Sequence, residues 1–384
     1  MLLENEFLRD VRVEKEVQTL FSAGHEIIVA CITSTGLPSF EKRENCIVLR
    51  KNISKFVTKS GVGALKIPVY FNFWRSYLKS ILRSYTIEAI HVHDLPLSRI
   101  GIEAKRKHNL KLIIDLHENW PALLSVSVHA NTFLGKILSS EKRWRLYEKS
   151  SATEANAVIT VVDEMKTRIS KLGIDPEKIY VLENTPQIDT LPPLNFERDE
   201  RYFTLVYVGG LSLHRGLQHV IDGIGLLAGE IPVRLWIAGD GKFSMELKEK
   251  VRKLGLHEYI EFFGLISKNK AEDLLRKADY GLIPHIRSEQ SDNSSPNKLF
   301  EYMAAGLPVL SSNCISVKRI LDETHAGETY IFDSPADFAN TVKRLFRERE
   351  NSYLYGLNGQ KAVRDTYNWQ QSSSSLLNIY SSHK

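Results

Sequence analysis

The chain has 384 residues, 43% of them apolar and 25% charged, with a net charge of +5. That is longer than one hydrophobic core usually fills, so two domains of roughly 150 to 200 residues are expected. Cys31, Cys46 and Cys314 form neither a C-x-x-C pair nor an even set, which argues against a disulfide framework or a cysteine zinc site and suits a reducing cytosol.

Charge is unevenly spread: residues 1–185 hold 27 Lys+Arg against 21 Asp+Glu, and the remainder 24 against 25. A basic excess in one half suits an anionic partner such as a phospholipid surface or a phosphorylated acceptor, and is too weak to indicate nucleic acid. Met1 to Asp10 carries Glu4, Glu6, Arg9 and Asp10 where a signal peptide would be apolar, and no run reaches the ~18 apolar residues of a membrane span. The chain therefore reads as soluble and cytoplasmic.

In chain order, His25–Ile32, Ala89–Val92, Leu112–Asp115, Ala157–Val161 and Ile179–Leu182 read as buried strands, with helical periodicity between most of them. Within that half, residues 69–85 form an amphipathic helix with Trp74, Tyr77, Leu78, Ile81, Leu82 and Tyr85 on one face and Arg75, Lys79 and Arg83 on another. It either rests on an anionic membrane or faces the core. His91 and His93 share one face of a strand end; without a third ligand at metal spacing nearby, no metal site is expected.

Three prolines and no periodicity mark 184–200 as a linker. Beyond it FTLVYVGG, VRLWIAG, YIEFFG, YGLIP and LPVLSS are strands in a second alternation. The expected fold is α/β: two doubly wound, Rossmann-like domains facing a central cleft. The expected bounds are 1–185, a linker 186–200, a nucleotide-binding domain 201–365, and a terminal helix in 366–384.

Two helix starts in the second half suit phosphate. In SDNSSPNKLFEYMAAGLPVL, Ser294 or Ser295 is expected to cap a helix beginning at Pro296, with Lys298 in the first turn and Glu301 one turn on. The helix dipole and Lys298 would hold a diphosphate, and Glu301 the neighbouring ribose diol. The alternative is a surface ion pair between Lys298 and Glu301. In LVYVGGLSLHRG, Gly209 and Gly210 allow close backbone approach and Arg215 can reach back over an anion; the alternative is a simple turn.

These strings, with WIAGDG and FFGLIS between them, resemble the donor domain of the family 4 retaining glycosyltransferases, which have the GT-B fold. RVEKEVQTLFSAGHEIIV, HVHDLP, DLHENWP and TYNWQQSSSSLLNIY are similar to other segments of that family, so the resemblance runs along nearly all of the chain. It implies a metal-independent transfer of sugar, with retention, from a UDP- or GDP-linked donor to a saccharide or lipid-linked acceptor, by a front-face route. It implies donor contacts at Gly209, Gly210, Arg215, Gly239, Gly264, Leu265, Asn293, Ser294, Ser295, Lys298, Leu299 and Glu301. It implies acceptor-side roles for Arg9, Asp10, Arg12, His93, Asp94, His117 and Glu118, with His93, Arg215 and Lys298 as the catalytic set. His93 could instead be a packed structural histidine, and Glu118 a loop hydrogen-bonding group.

The family often has a second glutamate eight positions before the one matched by Glu301, where this chain has Asn293. Arg and Lys five apart are also common where Gly210 and Arg215 stand. Relatives start with a full strand, whereas only Met1 to Asn5 precede Glu6; that strand is very short or the start is late. A nucleotide-sugar epimerase of the same fold and a non-catalytic binding protein stay open as alternatives.

Overall fold

The computed structural model describes residues 1–8, 10–126, 140–189, 191–193 and 197–381. The chain forms two compact units, Met1–Asn184 with Ser372–Lys384, and Thr185–Gln371.

The first unit contains β1 (Ile28–Thr33), β2 (Phe40–Lys42), β3 (Ile47–Asn52), β4 (Ala89–His93), β5 (Lys111–Leu116), β6 (Ala157–Thr160) and β7 (Ile179–Val181). They form a β1-β3-β2 sheet and a parallel β4-β5-β6-β7 sheet. Leu2 joins the two, forming parallel bridges to Ala30 and to Val92. Valine- and isoleucine-rich runs buried on both faces are what a helix-covered parallel sheet demands. The first strand begins three residues later than His25. Polar β2 was not apparent from the sequence: it pairs antiparallel with β3 and its residues are largely exposed.

The helix Val69–Ser84 settles the membrane question for its aromatic face. Tyr70, Phe71, Trp74, Tyr77, Leu78 and Ile81 are buried in the core of this unit, with Leu82 and Tyr85 packed against it. Arg75 is paired to Glu103 of a neighbouring helix at 2.6 Å. The face read as a possible membrane anchor is therefore core. Among the described residues no helix is long and apolar enough to cross a membrane.

The second unit is one six-stranded parallel sheet in the order β10-β9-β8-β11-β12-β13, from β8 (Phe203–Val208), β9 (Val233–Ala238), β10 (Ile260–Gly264), β11 (Tyr280–Ile283), β12 (Val309–Ser312) and β13 (Gly327–Tyr330). Edge strand β13, sequence GETY, escaped the sequence reading because only Tyr330 of it is buried. Residues read as a linker lie along this unit: Gln360 donates to Pro192 O at 2.8 Å and Glu197 N to Arg276 O at 3.1 Å. At the other end of the chain, Tyr380 of the helix Trp369–Ser381 bonds His91 Nδ1 at 3.1 Å in the first unit.

Candidate functional site

In the second unit the candidate residues gather at the carboxyl ends of β8, β9 and β11. Strand β8 runs straight into Gly209, whose φ of +150° favours glycine, and Gly239 after β9 has φ +134°. A Cβ on Gly239 would lie 1.9 Å from Gly209 O, and one on Gly209 2.6 Å from Lys298 Nζ. Bare backbone at both strand ends is what lets the loops and the lysine come together. Gly239 N donates to Gly264 O at 2.7 Å, joining the third loop to the first two.

Arg215 ends a single 3-10 turn and donates from Nη1 to His285 Nε2 at 2.7 Å, while its Nε has no hydrogen-bond partner. Burial first, then the Arg215 and Lys298 charges, hold His285 well below the usual histidine pKa, so it is neutral and accepts from Arg215. His285 was not singled out from the sequence; its position just after the strand YGLI was the available signal.

The helix after SDNSSP starts at Asn297, not at Pro296, which is its N-cap residue, and no side chain caps it. The expected serine cap is absent because Ser294 Oγ is turned back to Gln290 O, 3.0 Å away; Ser295 is half-buried. Lys298 is only 9% exposed, and its Nζ stands 3.7 Å from the Tyr207 ring centroid with no hydrogen-bond partner. Burial and then the Arg215 charge push its pKa well below the usual lysine value. A buried amine beside a guanidinium, neither fully matched by counter-charge, is a place that an anion stabilises.

Glu301 lies one turn further along this helix and is exposed. Leu299 has a fully buried side chain, and its amide donates to Pro296 O at 2.9 Å. Asn293 Nδ2 donates to Glu289 O at 2.7 Å, and Asp292 is paired with Arg287 and accepts from Ile315 N. Gly210 is exposed, its carbonyl accepting from the Tyr207 hydroxyl at 2.8 Å, and Leu265 is exposed beyond Gly264.

In the first unit, Asp10 caps the helix Val11–Ser22, accepting from Val13 N at 3.2 Å. Arg9 lies outside the described residues. Arg12 is buried and donates from Nη2 to Asp115 at 2.9 Å and from Nε to Glu16 at 3.2 Å. Around this guanidinium stand His91 and His93, their rings stacked at 4.4 Å, and His117, whose Nε2 lies 3.0 Å from Asp115 and 3.2 Å from His93 Nδ1. Glu118 is exposed.

The histidines differ in charge. Burial, then the proximity of His91, holds His93 neutral, well below its ordinary pKa. For His117, burial and Arg12 oppose the proton, but Asp115 and Asp94 outweigh both and raise its pKa to about 9. A neutral acceptor and a fixed imidazolium thus sit side by side at the ends of β4 and β5. Glu16 was missed, although its place four residues after Arg12 on one helix face was a readable signal.

The expectation that no further ligand stands near His93 is corrected by the tertiary structure. Ligand-type atoms of Glu16, His93, Asp115 and His117 lie within 4.8 Å of one another. These four could hold a divalent cation by donor type; in this structure Arg12 is bonded to both carboxylates and His117 Nε2 lies 3.0 Å from Asp115.

Two family models match the chain. One described as Glycosyltransferase Family 4 covers residues 11–185, and one described as Glycosyl transferases group 1 covers 202–348. An uncharacterized glycosyltransferase of Methanocaldococcus jannaschii is 23% identical over 93% of this chain and 90% of its own length. Phosphatidyl-myo-inositol mannosyltransferase of Mycobacterium leprae is 24% identical over 76% and 73%. Anabaena HepE, solved with UDP and glucose, superposes with a TM-score of 0.71 at 14% identity over 99% of this chain and 98% of that one.

Proposed function

Because this chain belongs to the family 4, group 1 glycosyltransferases of GT-B fold, we propose that its second unit binds the diphosphate of a nucleotide-sugar donor and its first unit the acceptor. The carrying observation is the buried, unpartnered Lys298 Nζ beside Arg215 at a glycine-lined strand end. In a retaining transfer the leaving diphosphate gains charge as the glycosidic bond breaks. Arg215, Lys298 and the positive end of the helix Asn297–Ala304 would stabilise that charge without reorganising. Glu301 would accept hydrogen bonds from sugar hydroxyls of the donor.

Neutral His93 would accept a hydrogen bond from a sugar or acceptor hydroxyl, and the His117 imidazolium would face an anionic acceptor group. Retention by a front-face route, with the leaving phosphate taking the acceptor proton, fits a site in which Arg215 and Lys298 bring two cations to the diphosphate. UDP as the carrier is supported by the HepE complex with UDP and glucose. A glycolipid acceptor is supported by the mannosyltransferase relative.

The test is thermal shift against UDP, GDP and their sugars, followed by turnover with donor alone and with acceptor. UDP should stabilise the parent chain, by about 2.7 kcal/mol at a hundredfold excess over Kd. Lys298→Met and Arg215→Ala should lose that shift and the transfer. Wild-type nucleotide stabilisation in Lys298→Met would refute the assignment of the donor site, and interconversion of the donor sugar without acceptor would mark an epimerase.

A further inference from the structure

Arg215 is held by an uncharged group, which sets it apart from Arg12, Arg168 and Arg349. Those three guanidiniums lie against the carboxylates of Asp115, Glu148 and Asp279. Among the described residues Arg215 makes no ion pair, and its Nη1 donates to His285 Nε2 at 2.7 Å.

The arrangement is fixed from the backbone outward. Arg215 ends the 3-10 turn Leu213–Arg215, which is too short to immobilise a long side chain by itself. The turn is tied instead to the end of β11. Ile286 N donates to His214 O at 3.0 Å, and Gly216, at φ +75°, packs so closely that a Cβ there would lie 1.8 Å from Pro284 O. His285 stands between those two contacts, and its own carbonyl accepts from Ser312 Oγ of β12 at 2.6 Å. Two neighbouring elements thus pin the backbone that carries the ring.

A guanidinium has no acceptor atom, so Nε2 accepts and the proton of the neutral ring is on Nδ1. That bond occupies the one lone pair of the ring, which leaves His285 nothing with which to take a proton from a substrate. It acts through Arg215. A carboxylate in its place would grip the guanidinium more strongly but would cancel much of the charge presented to a ligand. A neutral acceptor orients the side chain and leaves that charge whole. Holding an arginine in its bound rotamer beforehand also removes an ordering cost from binding.

We propose that His285 is a positioning residue of the donor site: it aims Arg215 at the diphosphate and, as an uncharged acceptor, keeps the full charge of that side chain available to the leaving group. This inference rests on the assignment of the diphosphate to Arg215 and Lys298.

The test compares His285→Leu, His285→Gln and His285→Glu with the parent, by urea midpoint and by Kd for UDP and for inorganic pyrophosphate. Loss of the acceptor in His285→Leu should weaken UDP by about tenfold or more. His285→Gln, whose amide oxygen can take the same bond, should recover binding to within about threefold of the parent. His285→Glu should unfold no earlier than the parent yet bind both probes about tenfold more weakly, a split that a merely structural histidine would not give. In an Arg215→Ala background, His285→Leu should change the UDP Kd by less than about twofold, because the group that it aims is gone. Parent-like UDP binding in His285→Leu or His285→Glu, or an undiminished effect of His285→Leu without Arg215, overturns the proposal and leaves the donor site in place. A parent chain that binds neither probe, or an Arg215→Ala chain that binds both as the parent does, overturns the donor-site assignment and this inference with it.

Discussion

Arg12 and Asp115, 103 positions apart in the chain, are held together in the first unit by one guanidinium nitrogen that reaches both carboxylate oxygens, at 2.9 and 3.2 Å. Asp115 is wholly buried and Arg12 nearly so. Removing one partner leaves the other desolvated and unmatched. Arg12→Ala should therefore cost about 3–5 kcal/mol in urea unfolding at pH 7, with most of that recovered in Arg12→Met combined with Asp115→Asn. A loss below ~1 kcal/mol for the single variant would show that the pair is weaker than its burial implies.

His117 makes stability depend on pH. Its folded pKa is raised to about 9, from an ordinary value near 6.5. Its contribution is therefore complete below about pH 6.5 and is lost as pH rises through 9. The parent chain should lose on the order of 2 kcal/mol more than His117→Gln between pH 6.5 and 9.5. Parallel stability profiles for the two chains would contradict this.

Lys298 should show the opposite of a structural residue. Its ammonium is buried without a hydrogen-bond partner and Arg215 repels it. Lys298→Met should leave urea stability unchanged or raise it by about 1 kcal/mol, because an apolar side chain of similar length belongs against Tyr207 better than an unmatched cation. The same variant should lose transfer activity. A destabilised variant would mean that the lysine holds the fold rather than the ligand.

Gly239→Ala tests the close approach of the strand ends. The added Cβ would meet Gly209 O at 1.9 Å, and φ there is +134°. Backbone cannot yield as a side chain can, so a loss of about 2–4 kcal/mol is expected. Gly264→Ala, where φ is +65° and nothing lies within 4 Å, should cost about 1 kcal/mol. Equal costs at the two positions, read from denaturant midpoints, would remove the packing argument.

The sequence by itself determined the alternation of β8 to β12 with helices, because a strand buried on both faces must be an apolar run. It also determined the short string that carries Lys298 and Glu301, because one helix turn places them by local geometry alone. Tertiary structure decided what local patterns leave open. The aromatic face of Val69–Ser84 fits a core or a membrane equally well until Leu2, Val92 and their neighbours supply the core. Strands β2 and β13 are edges with few buried residues, so no apolar signal marks them. Arg12, His93 and the Asp115–His117 end of β5 come from three separate elements, and their charges follow from mutual distance and burial, which local spacing does not encode.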